Sequence, residues 1–233
     1  MATHEVDIWY WPLDVDAARH DALFALLSED ERSRCFSFVQ QRHQRQFAVG
    51  RGQLRETLGA YVGAAPADLR FSYNPFGKPA FEGTGPHFNL SHSGGWAALA
   101  VCSTAPIGID IEAFRPIEDG IAKRFFAPAE YATLNALPGH LWQQGFYRCW
   151  TRKEAFIKAC GPGLSMPLDS FEVTLTPDEP PRFLRIDDPH YSCENWSLSH
   201  LDLGPDLVGA VTLDTGGTTP ELRFHGSKPP LTT

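Results

Sequence analysis

The sequence predicts an α+β protein built from two similar halves, and two observations support this prediction. First, helical patterns followed by strand patterns occur twice along the 233 residues. Second, the segment 96–104, WAALAVCST, is echoed by the segment 207–215, LVGAVTLDT, which suggests a structural duplication. The join between the halves is expected near residues 103–106, so that 1–104 and 105–233 would form two subdomains.

The composition is typical of a globular protein that works in water. Hydrophobic residues make up 42% of the chain and charged residues 21%. No apolar run approaches the ~18 residues that a membrane span needs, and the N-terminus lacks the basic and apolar regions of a signal peptide. The net charge of −8 argues against nucleic acid as the main partner, although it allows a local basic patch.

The five cysteines are an odd number and lack the paired spacing of a metal site. Several stand among apolar residues, where free thiols are commonly buried. Free buried thiols indicate a reducing compartment, and we therefore expect a cytoplasmic protein.

In the first half, a strand, helices and further strands are predicted in turn. Val6, Ile8 and Tyr10 share one face of an opening strand. Asp16 can cap a first helix, and residues 28–31, SEDE, have the form of a capping box that starts a second helix. Further elements are expected as a helical pattern at 47–61, strands at 69–73, 88–90 and 96–101, and a turn at 74–79.

Several arginines lie within the helical patterns of this half. Such a cluster is more often a solvated surface than a binding site, but it could equally hold an anionic ligand. The arginines are Arg32, Arg34, Arg45, Arg51 and Arg55.

The strand 107–112, IGIDIE, places two carboxylates on one face. Because side chains alternate along a strand, Gly108, Asp110 and Glu112 point one way and the isoleucines point the other. Two carboxylates in this arrangement are a common platform for a hard cation, and the glycine beside them would leave room for a ligand. An exposed strand face is the competing interpretation, and it is the commoner one for an isolated Asp-x-Glu.

The segment 146–164, FYRCWTRKEAFIKACGPGL, predicts an amphipathic helix that ends at a glycine-rich stop. Glu154 and Lys158 are one turn apart on one edge of its apolar stripe. Lys153 falls inside the stripe, where a lysine must either reach out to solvent or meet a ligand. A core helix with a weak surface ion pair is the plainer alternative.

Other elements of the second half surround this helix. Helical patterns at 121–126 and 128–137 precede it, and strands are expected at 171–175, 183–186, 196–203 and 207–213. The tail of the chain, with Gly216, Gly217, Pro229 and Pro230, is expected to be mobile.

Four stretches of the chain form one ordered set: Gly77-Lys78-Pro79, the segment 88–94 (FNLSHSG), the segment 108–112 (GIDIE), and Trp150-x-x-Lys153-Glu154-x-x-x-Lys158-x-x-Gly161. In this order they resemble the 4'-phosphopantetheinyl transferases, especially the larger monomeric type that activates nonribosomal peptide and polyketide synthases. The resemblance is clearest between residues 28 and 175.

The resemblance implies a pseudo-dimer of two similar subdomains, each a small, mostly antiparallel sheet packed with helices, with coenzyme A bound between them. Residues 1–104 would hold the nucleotide side of coenzyme A, and residues 105–233 would carry the metal and the catalytic acids. The implied catalytic residues are Glu154, Lys158 and Asp110, and the implied ligands of Mg²⁺ (or Mn²⁺) are Asp110, Glu112 and Glu154. The residues implied for coenzyme A binding are Arg34, Arg45, Lys78, Pro79, Ser91, His92, Asp110, Lys153 and Lys158.

One position departs from the family pattern. Glu31 stands where relatives often carry a lysine, and this change affects part of the expected contact to the 3'-phosphate of coenzyme A.

The implied reaction is transfer of the 4'-phosphopantetheine arm of coenzyme A to a serine of an apo carrier protein, with release of 3',5'-ADP. The residues fit this chemistry, because Mg²⁺ and a lysine can neutralise a breaking pyrophosphate, and Glu154 can take the serine proton. Two alternatives stay open at this point. The same three acids could serve a metal-dependent phosphohydrolase, or the protein could be a silent coenzyme A-binding module.

The expected partners are coenzyme A and acyl or peptidyl carrier proteins, without nucleic acid or membrane, and the expected state is a monomer. Carrier proteins of this kind are generally acidic, so positive charge beside apolar bulk is a plausible docking surface. Lys123, Arg124, Phe125 and Phe126 offer that combination. A helix whose phenylalanines are simply core is nearly as good an interpretation.

Overall fold

The computed structural model describes residues 4–161 and 166–226 and has the predicted α+β class. The strands are β1 (Glu5–Pro12), β2 (Phe71–Tyr73), β3 (Pro79–Phe81), β4 (His87–Ser93), β5 (Trp96–Cys102), β6 (Ile107–Ala113), β7 (Phe171–Val173), β8 (Phe183–Ile186), β9 (Trp196–Asp202), β10 (Leu207–Asp214) and β11 (Glu221–Gly226). The helices are α1 (Ala17–Ala25), α2 (Glu29–Ser37), α3 (Gln41–Val62), α4 (Ile121–Phe125), α5 (Pro128–Ala136) and α6 (Gly139–Cys160).

Two main sheets form the frame. One has the order β11-β1-β5-β4 and the other the order β6-β10-β9, and two short hairpins, β2-β3 and β7-β8, complete the strands. Every pairing is antiparallel except that of β1 with β11. The sheets are therefore small and mostly antiparallel, as expected.

The chain end differs from the expectation of a mobile tail. β11 lies parallel to β1, in a register that runs from Glu5 beside Glu221 to Tyr10 beside Gly226. The strand from the far end of the chain thus forms the edge of the first sheet. Local sequence could not reveal this, because the side chain of Phe224 stays exposed and the partner strand is distant along the chain. Pro229 and Pro230 lie outside the described residues.

The helix ends follow the local signals. The Asp16 carboxylate accepts a hydrogen bond from Arg19 N at 2.8 Å at the start of α1, and the Glu31 carboxylate accepts one from Ser28 N at 3.0 Å at the start of α2. Both contacts satisfy amide groups that a helix start leaves free. The helical pattern at 47–61 is the later part of the longer helix α3.

Helix α6 begins seven residues earlier than predicted, at Gly139, and ends as expected. Gly161 has a φ of 84° and its N–H donates to Ile157 O at 3.0 Å, a left-handed cap that glycine adopts without strain. Pro162 and Gly163, the rest of the predicted stop, lie outside the described residues.

Gly108 packs β6 directly against α6. A Cβ at this position would lie 2.0 Å from Ala155 O and 2.4 Å from Ala159 N. The prediction that this glycine leaves room for a ligand is wrong, because the backbone of α6 occupies that room. Its function is close helix–strand contact, which brings the side chains of α6 next to those of β6.

No helix in the described ranges is long and apolar enough to cross a bilayer. All five cysteines are free thiols, and Cys35, Cys102 and Cys149 are buried.

Candidate active site

The edges of the two main sheets meet along β4 and β6, and side chains join them. Asn89 Oδ1 accepts from Ile109 N at 2.9 Å, and Ser93 Oγ accepts from Ala113 N at 3.0 Å. Between them, Ser91 Oγ lies 3.3 Å from Ile111 N. Polar side chains of β4 thus take the place of a neighbouring backbone along β6. We call this junction the seam.

Asp110 and Lys158 face each other at the seam. Lys158 Nζ, from α6, lies 2.6 Å from Asp110 Oδ1 and 3.1 Å from Ser91 Oγ. Ser91 Oγ itself donates to Asp110 Oδ1 at 2.9 Å. Three residues that the sequence places far apart are therefore brought into one hydrogen-bonded group.

The two other predicted acids lie close to this group. Glu112 Oε2 accepts from Ser93 Oγ at 2.7 Å, and burial, together with the negative charge of Asp110, raises the pKa of Glu112. Burial also raises the pKa of Glu154 to about 7, with Asp110 and Glu112 adding to the effect and Lys158 opposing it. The three carboxylates therefore repel one another across a single site, which is the electrostatic condition that a cation or proton relieves.

The donor set fits a cation that needs few protein ligands. No group of three acidic, histidine or cysteine side chains among residues 4–161 and 166–226 is arranged so that it could hold a metal ion. However, Asp110 Oδ2 is buried and has no hydrogen-bond partner. Mg²⁺ commonly takes one or two carboxylates and fills its other positions with water and phosphate oxygens. Asp110 Oδ2, with Glu112 and Glu154 near it, suits that mode of binding.

Lys78 fastens the turn between β2 and β3 to the end of α6. Its Nζ donates to Ile107 O at 3.0 Å and to Lys158 O. Asn74, at the start of the same turn, donates from Nδ2 to Gly161 O at 2.8 Å. A cation at a helix C-terminus is favourable, but burial and the nearby charge of Lys158 lower the pKa of Lys78 to about 8. The described residues thus place this predicted ligand beside the seam.

Lys153 stands apart from the seam. Its side chain is completely buried, and Nζ lies 2.8 Å from Glu130 Oε2. Nζ also donates to Leu168 O and Phe171 O. From its sequence position this lysine was predicted to reach solvent or to meet a ligand, but it forms an internal ion pair with Glu130 of α5 instead. The missing signal was the partner, because Glu130 carries no feature that distinguishes it from a surface acid.

The remaining predicted coenzyme A residues lie on the first half. Arg34 is exposed and stands 5.8 Å from the centre of the Phe47 ring, and Arg45 donates to Val15 O at 3.2 Å. His92 lies next to Ser91 on β4 and is exposed on one side, and desolvation together with the charge of Lys158 lowers its pKa. Pro79 lines a recess of about 150 Å³ together with Lys78 and His87.

Glu31 has a structural partnership that the sequence analysis did not identify. It is buried, and its carboxylate accepts from Arg51 Nε and Arg55 Nε, each at 2.6 Å. Arg51 also donates to Tyr73 OH, so the buried acid connects α2, α3 and the hairpin that leads to Lys78. The capping box predicted one contact of Glu31, whereas the two arginines are brought to it by the packing of α3.

Known proteins are similar in sequence to this chain over nearly its whole length. Residues 106–212 match the 4'-phosphopantetheinyl transferase superfamily, and residues 15–104 match the N-terminal part of 4'-phosphopantetheinyl transferases. The chain is 40% identical to the 4'-phosphopantetheinyl transferase HetI from Nostoc sp., over 95% of this chain and 92% of that protein.

Two further comparisons come from Bacillus subtilis. A 4'-phosphopantetheinyl transferase is 35% identical over 88% of this chain and 95% of its own length, and the 4'-phosphopantetheinyl transferase Sfp is 37% identical over 72% and 75%. Among solved structures, the holo-[acyl-carrier-protein] synthase of Thermotoga maritima overlaps 48% of this chain and 65% of its own, with a TM-score of 0.39 and 18% identity. Because the sequence matches span both halves, the chain belongs to the 4'-phosphopantetheinyl transferase superfamily and is an enzyme that transfers the 4'-phosphopantetheine arm of coenzyme A to a carrier protein.

Proposed function

We propose that the seam binds the pyrophosphate of coenzyme A and that Asp110, Glu154 and Lys158 carry out the transfer there. The observation that carries the proposal is the meeting of Lys158 Nζ with Asp110 and Ser91 at the junction of the two sheets. In this proposal, residues 1–104 bind the nucleotide side of coenzyme A, and residues 105–233 supply the acids. Strand β11 belongs to residues 105–233 but forms the edge of the first sheet, next to β1. The seam lies at the opposite edge of that sheet, between β4 and β6, and does not involve β11.

The reaction breaks one bond and forms one bond at phosphorus. The serine oxygen of the carrier attacks the phosphorus that bears the pantetheine arm, and the bond to the leaving 3',5'-ADP breaks. The serine proton needs an acceptor, and a carboxylate whose pKa is about 7 is well matched to take it near neutral pH. Glu154 is therefore our candidate for the general base.

Negative charge grows on the leaving group as the pyrophosphate breaks. Lys158 can neutralise it, because its ammonium group is held at the seam and is still partly exposed. A bound Mg²⁺, or Mn²⁺ in its place, would add Lewis-acid stabilisation of the pyrophosphate oxygens. Asp110, through its unpaired Oδ2, would be the first ligand of this ion, and Glu112 and Glu154 would complete the set by moving towards it, since the three acids are not arranged as a metal site in the structure.

The nucleotide end of coenzyme A is assigned to the first half. The recess beside Lys78 and Pro79 supports this assignment, because it opens next to the turn that contacts α6. Arg34, Arg45 and His92 would supply positive charge or hydrogen-bond donors to the 3'-phosphate. For Lys153 we propose support of α6 instead of a ligand contact, since Glu130 already neutralises it.

The carrier partner is proposed to be an acyl or peptidyl carrier protein of a nonribosomal peptide or polyketide synthase, and the enzyme to act as a cytoplasmic monomer. The free thiols fit a reducing compartment.

For docking of the carrier protein, Lys123 and Arg124 are exposed on α4, whereas Phe126 is buried in the core. The candidate docking surface therefore consists of Lys123, Arg124 and the half-buried side chain of Phe125. Reversing both charges should raise the carrier KM and leave coenzyme A affinity unchanged; an unchanged carrier KM would remove this surface.

One experiment tests the assignment as a whole. The protein is incubated with coenzyme A, Mg²⁺ and an apo carrier protein, and the intact mass of the carrier is recorded. We expect a gain of one phosphopantetheinyl arm that depends on both coenzyme A and Mg²⁺. Free phosphopantetheine without a gain in carrier mass would indicate hydrolysis, and the absence of turnover would indicate a binding module; the comparisons support neither alternative.

A further inference from the structure

A basic cluster lies on the side of α6 that faces away from the seam. Arg148 and Arg152 are one helical turn apart, and at ~100° per residue Arg152 lies roughly 160° around the helix from Glu154. His200 of β9 completes the cluster, which we define as Arg148, Arg152 and His200.

The sheet face that carries His200 is the one that packs on α6. Along β9, Trp196 and Leu198 belong to the same core as Phe156 of α6. His200 follows them with the strand period of two, so its ring points to the same side. The side chains of Leu201 and Leu203 belong to a different core on the opposite face.

Arg152 is 1% exposed and uses only part of its guanidinium group. Nη1 donates to Thr174 O and, at 3.0 Å, to Thr174 Oγ1. Nε and Nη2 are buried without a hydrogen-bond partner. These two nitrogens form one edge of the guanidinium plane, and this edge presents two parallel N–H groups of the kind that bind anions bidentately.

The neighbouring groups have the same character. Arg148 donates from Nη1 to Pro177 O at 3.1 Å, and its Nε is buried and unpaired. His200 Nδ1 is likewise buried and unpaired. Four unpaired nitrogens therefore belong to three adjacent basic side chains, although buried polar atoms nearly always have a partner.

The arginines of the cluster have no hydrogen-bonded counter-ion among the described residues. The hydrogen bonds described for its arginines go to neutral oxygens, and a buried guanidinium without a hydrogen-bonded counter-ion is costly. Burial and the charge of Arg148 lower the pKa of Arg152 to about 10, and burial with both arginine charges lowers the pKa of His200 to about 4. Asp178, Glu179 and Asp202 act on the cluster through space and formally balance its two arginine charges, but none of them is hydrogen-bonded to these arginines in the described residues.

We propose that the basic cluster binds a small anion, held by Nε and Nη2 of Arg152 and bordered by Arg148 Nε and His200 Nδ1. A halide or a small oxyanion has the required chemistry, since either accepts two N–H groups from one guanidinium edge. The site is separate from the seam, and its anion links α6, the segment 174–177 and β9. An anion there stabilises the fold by binding the native state only.

The direct test is crystallographic. Crystals of the full chain are grown with sodium bromide in place of chloride, and anomalous data are collected at the bromine edge. We expect an anomalous peak within hydrogen-bonding distance of Arg152 Nε and Nη2. A peak-free site that contains only a water, in both bromide and sulfate crystals, would overturn the proposal.

The solution test measures Tm at constant ionic strength while gluconate is replaced by chloride or by sulfate. In the unmodified protein Tm should rise with the logarithm of the anion concentration. A steeper rise with chloride would identify the preferred ligand of the cluster as a halide, and a steeper rise with sulfate would identify it as an oxyanion. Arg152→Met should lose this rise, whereas Arg185→Gln, which removes a partly exposed arginine outside the cluster, should keep it.

If Arg152→Met does not fold, Arg148→Gln replaces it, and the anion concentration at half-effect should then increase at least threefold. Equal anion dependence in the unmodified protein and in the cluster variant would show a general salt effect and refute the site.

Discussion

Lys158 Nζ lies 2.6 Å from Asp110 Oδ1, while Asp110 Oδ2 is buried with no hydrogen-bond partner. The two oxygens of this carboxylate are therefore inequivalent. Oδ1 is committed to Lys158 and Ser91, whereas Oδ2 remains available to a cation. A substrate pyrophosphate that draws Lys158 towards itself would weaken the bond to Oδ1 and increase the negative charge that Asp110 offers to a metal. One ion pair thus couples the two functions that we assign to the seam.

Asp110→Ala should abolish Mg²⁺-dependent turnover and leave the fold intact. The loss should be at least about a hundredfold, the scale for removing one preorganised electrostatic group from an active site. Lys158 keeps Ser91 as a hydrogen-bond partner and is 29% exposed in its side chain, so it is not stranded in the core. Intact-mass assays with circular dichroism check both parts. Asp119→Ala, an exposed acid, is the matched control, and full activity of folded Asp110→Ala would refute the metal assignment.

Glu154 should make stability depend on pH in a defined direction. Its pKa is about 7 in the folded protein, against an ordinary value of 4.5 for a glutamate. Between these values the folded state binds the proton more tightly than the unfolded state, so this group lowers the free energy of unfolding as pH rises from about 4.5 to 7.

Glu154→Gln removes that titration. Its free energy of unfolding relative to the unmodified protein should therefore increase between pH 5 and pH 8, as measured by urea unfolding at both values. Gln143→Glu, which adds an exposed acid on the same helix, controls for general charge effects. A constant difference across this range would mean that the Glu154 pKa is not raised.

Local rules in the sequence predicted part of this site and long-range packing determined the rest. The alternation in 107–112 correctly put Asp110 and Glu112 on one face, and the helical period correctly put Glu154 beside Lys158, because both rules depend on neighbours within a few residues. The capping box of Ser28 and Glu31 was predicted on the same basis.

The misjudged features all depend on partners distant along the chain. The space beside Gly108 is occupied by the backbone of α6, and Lys153 forms an ion pair with Glu130 on another helix. Strand β11 pairs with a strand more than two hundred residues away. No local pattern encodes which distant surface a residue will meet. An expectation about room around Gly108 or about the fate of Lys153 therefore needed the tertiary structure.

The Lys153–Glu130 pair should be a strong determinant of stability. Glu130→Gln keeps only one of the two oxygens that accept from Ala127 N and Val173 N, at 2.9 and 2.8 Å, places an amide donor at the other, and leaves a buried ammonium without a counter-charge. We expect a loss of roughly 3–5 kcal/mol in the free energy of unfolding. Adding Lys153→Met should recover a large part of it, because the unpaired charge is gone. Urea unfolding measures both.

The comparison for this buried pair is an exposed one. Arg185→Gln breaks the contacts of Arg185 with Glu172 and Asp187, where all three side chains are partly solvated, and should cost no more than about 1 kcal/mol. If Glu130→Gln costs no more than Arg185→Gln, Lys153 does not depend on Glu130 for its charge balance.

The basic residues of the first half should read the 3'-phosphate of coenzyme A. Charged hydrogen bonds contribute roughly 1.5–3 kcal/mol each, so dephospho-coenzyme A should bind at least about tenfold more weakly than coenzyme A. Arg45→Ala should reduce this ratio, and calorimetric titration of both ligands measures it. Arg70→Ala, which removes an exposed arginine outside the proposed set, should leave the ratio unchanged. Equal affinities of the unmodified protein for the two ligands would contradict the assignment.

Glu154 and Lys158 should fail in different ways when each is changed. Glu154→Gln preserves the shape of the side chain and removes its basic oxygen. If Glu154 is chiefly the base, this variant should bind Mg²⁺ and coenzyme A normally and transfer at least about a hundredfold more slowly. If it is chiefly a metal ligand, its Mg²⁺ affinity should fall as well.

Lys158→Ala should lower both coenzyme A affinity and the transfer rate, because it removes the positive charge assigned to the pyrophosphate. Lys158 is not a candidate for the base, since a lysine next to phosphates stays protonated. Titrations of Mg²⁺ and coenzyme A, combined with single-turnover rates, separate these outcomes. The pH profile adds an independent check: kcat/KM of the unmodified enzyme should rise through pH 7, where free Glu154 loses its proton, and this rise should be absent in Glu154→Gln. A near-normal single-turnover rate for Glu154→Gln would place the base elsewhere, because a glutamine at this position cannot accept the serine proton.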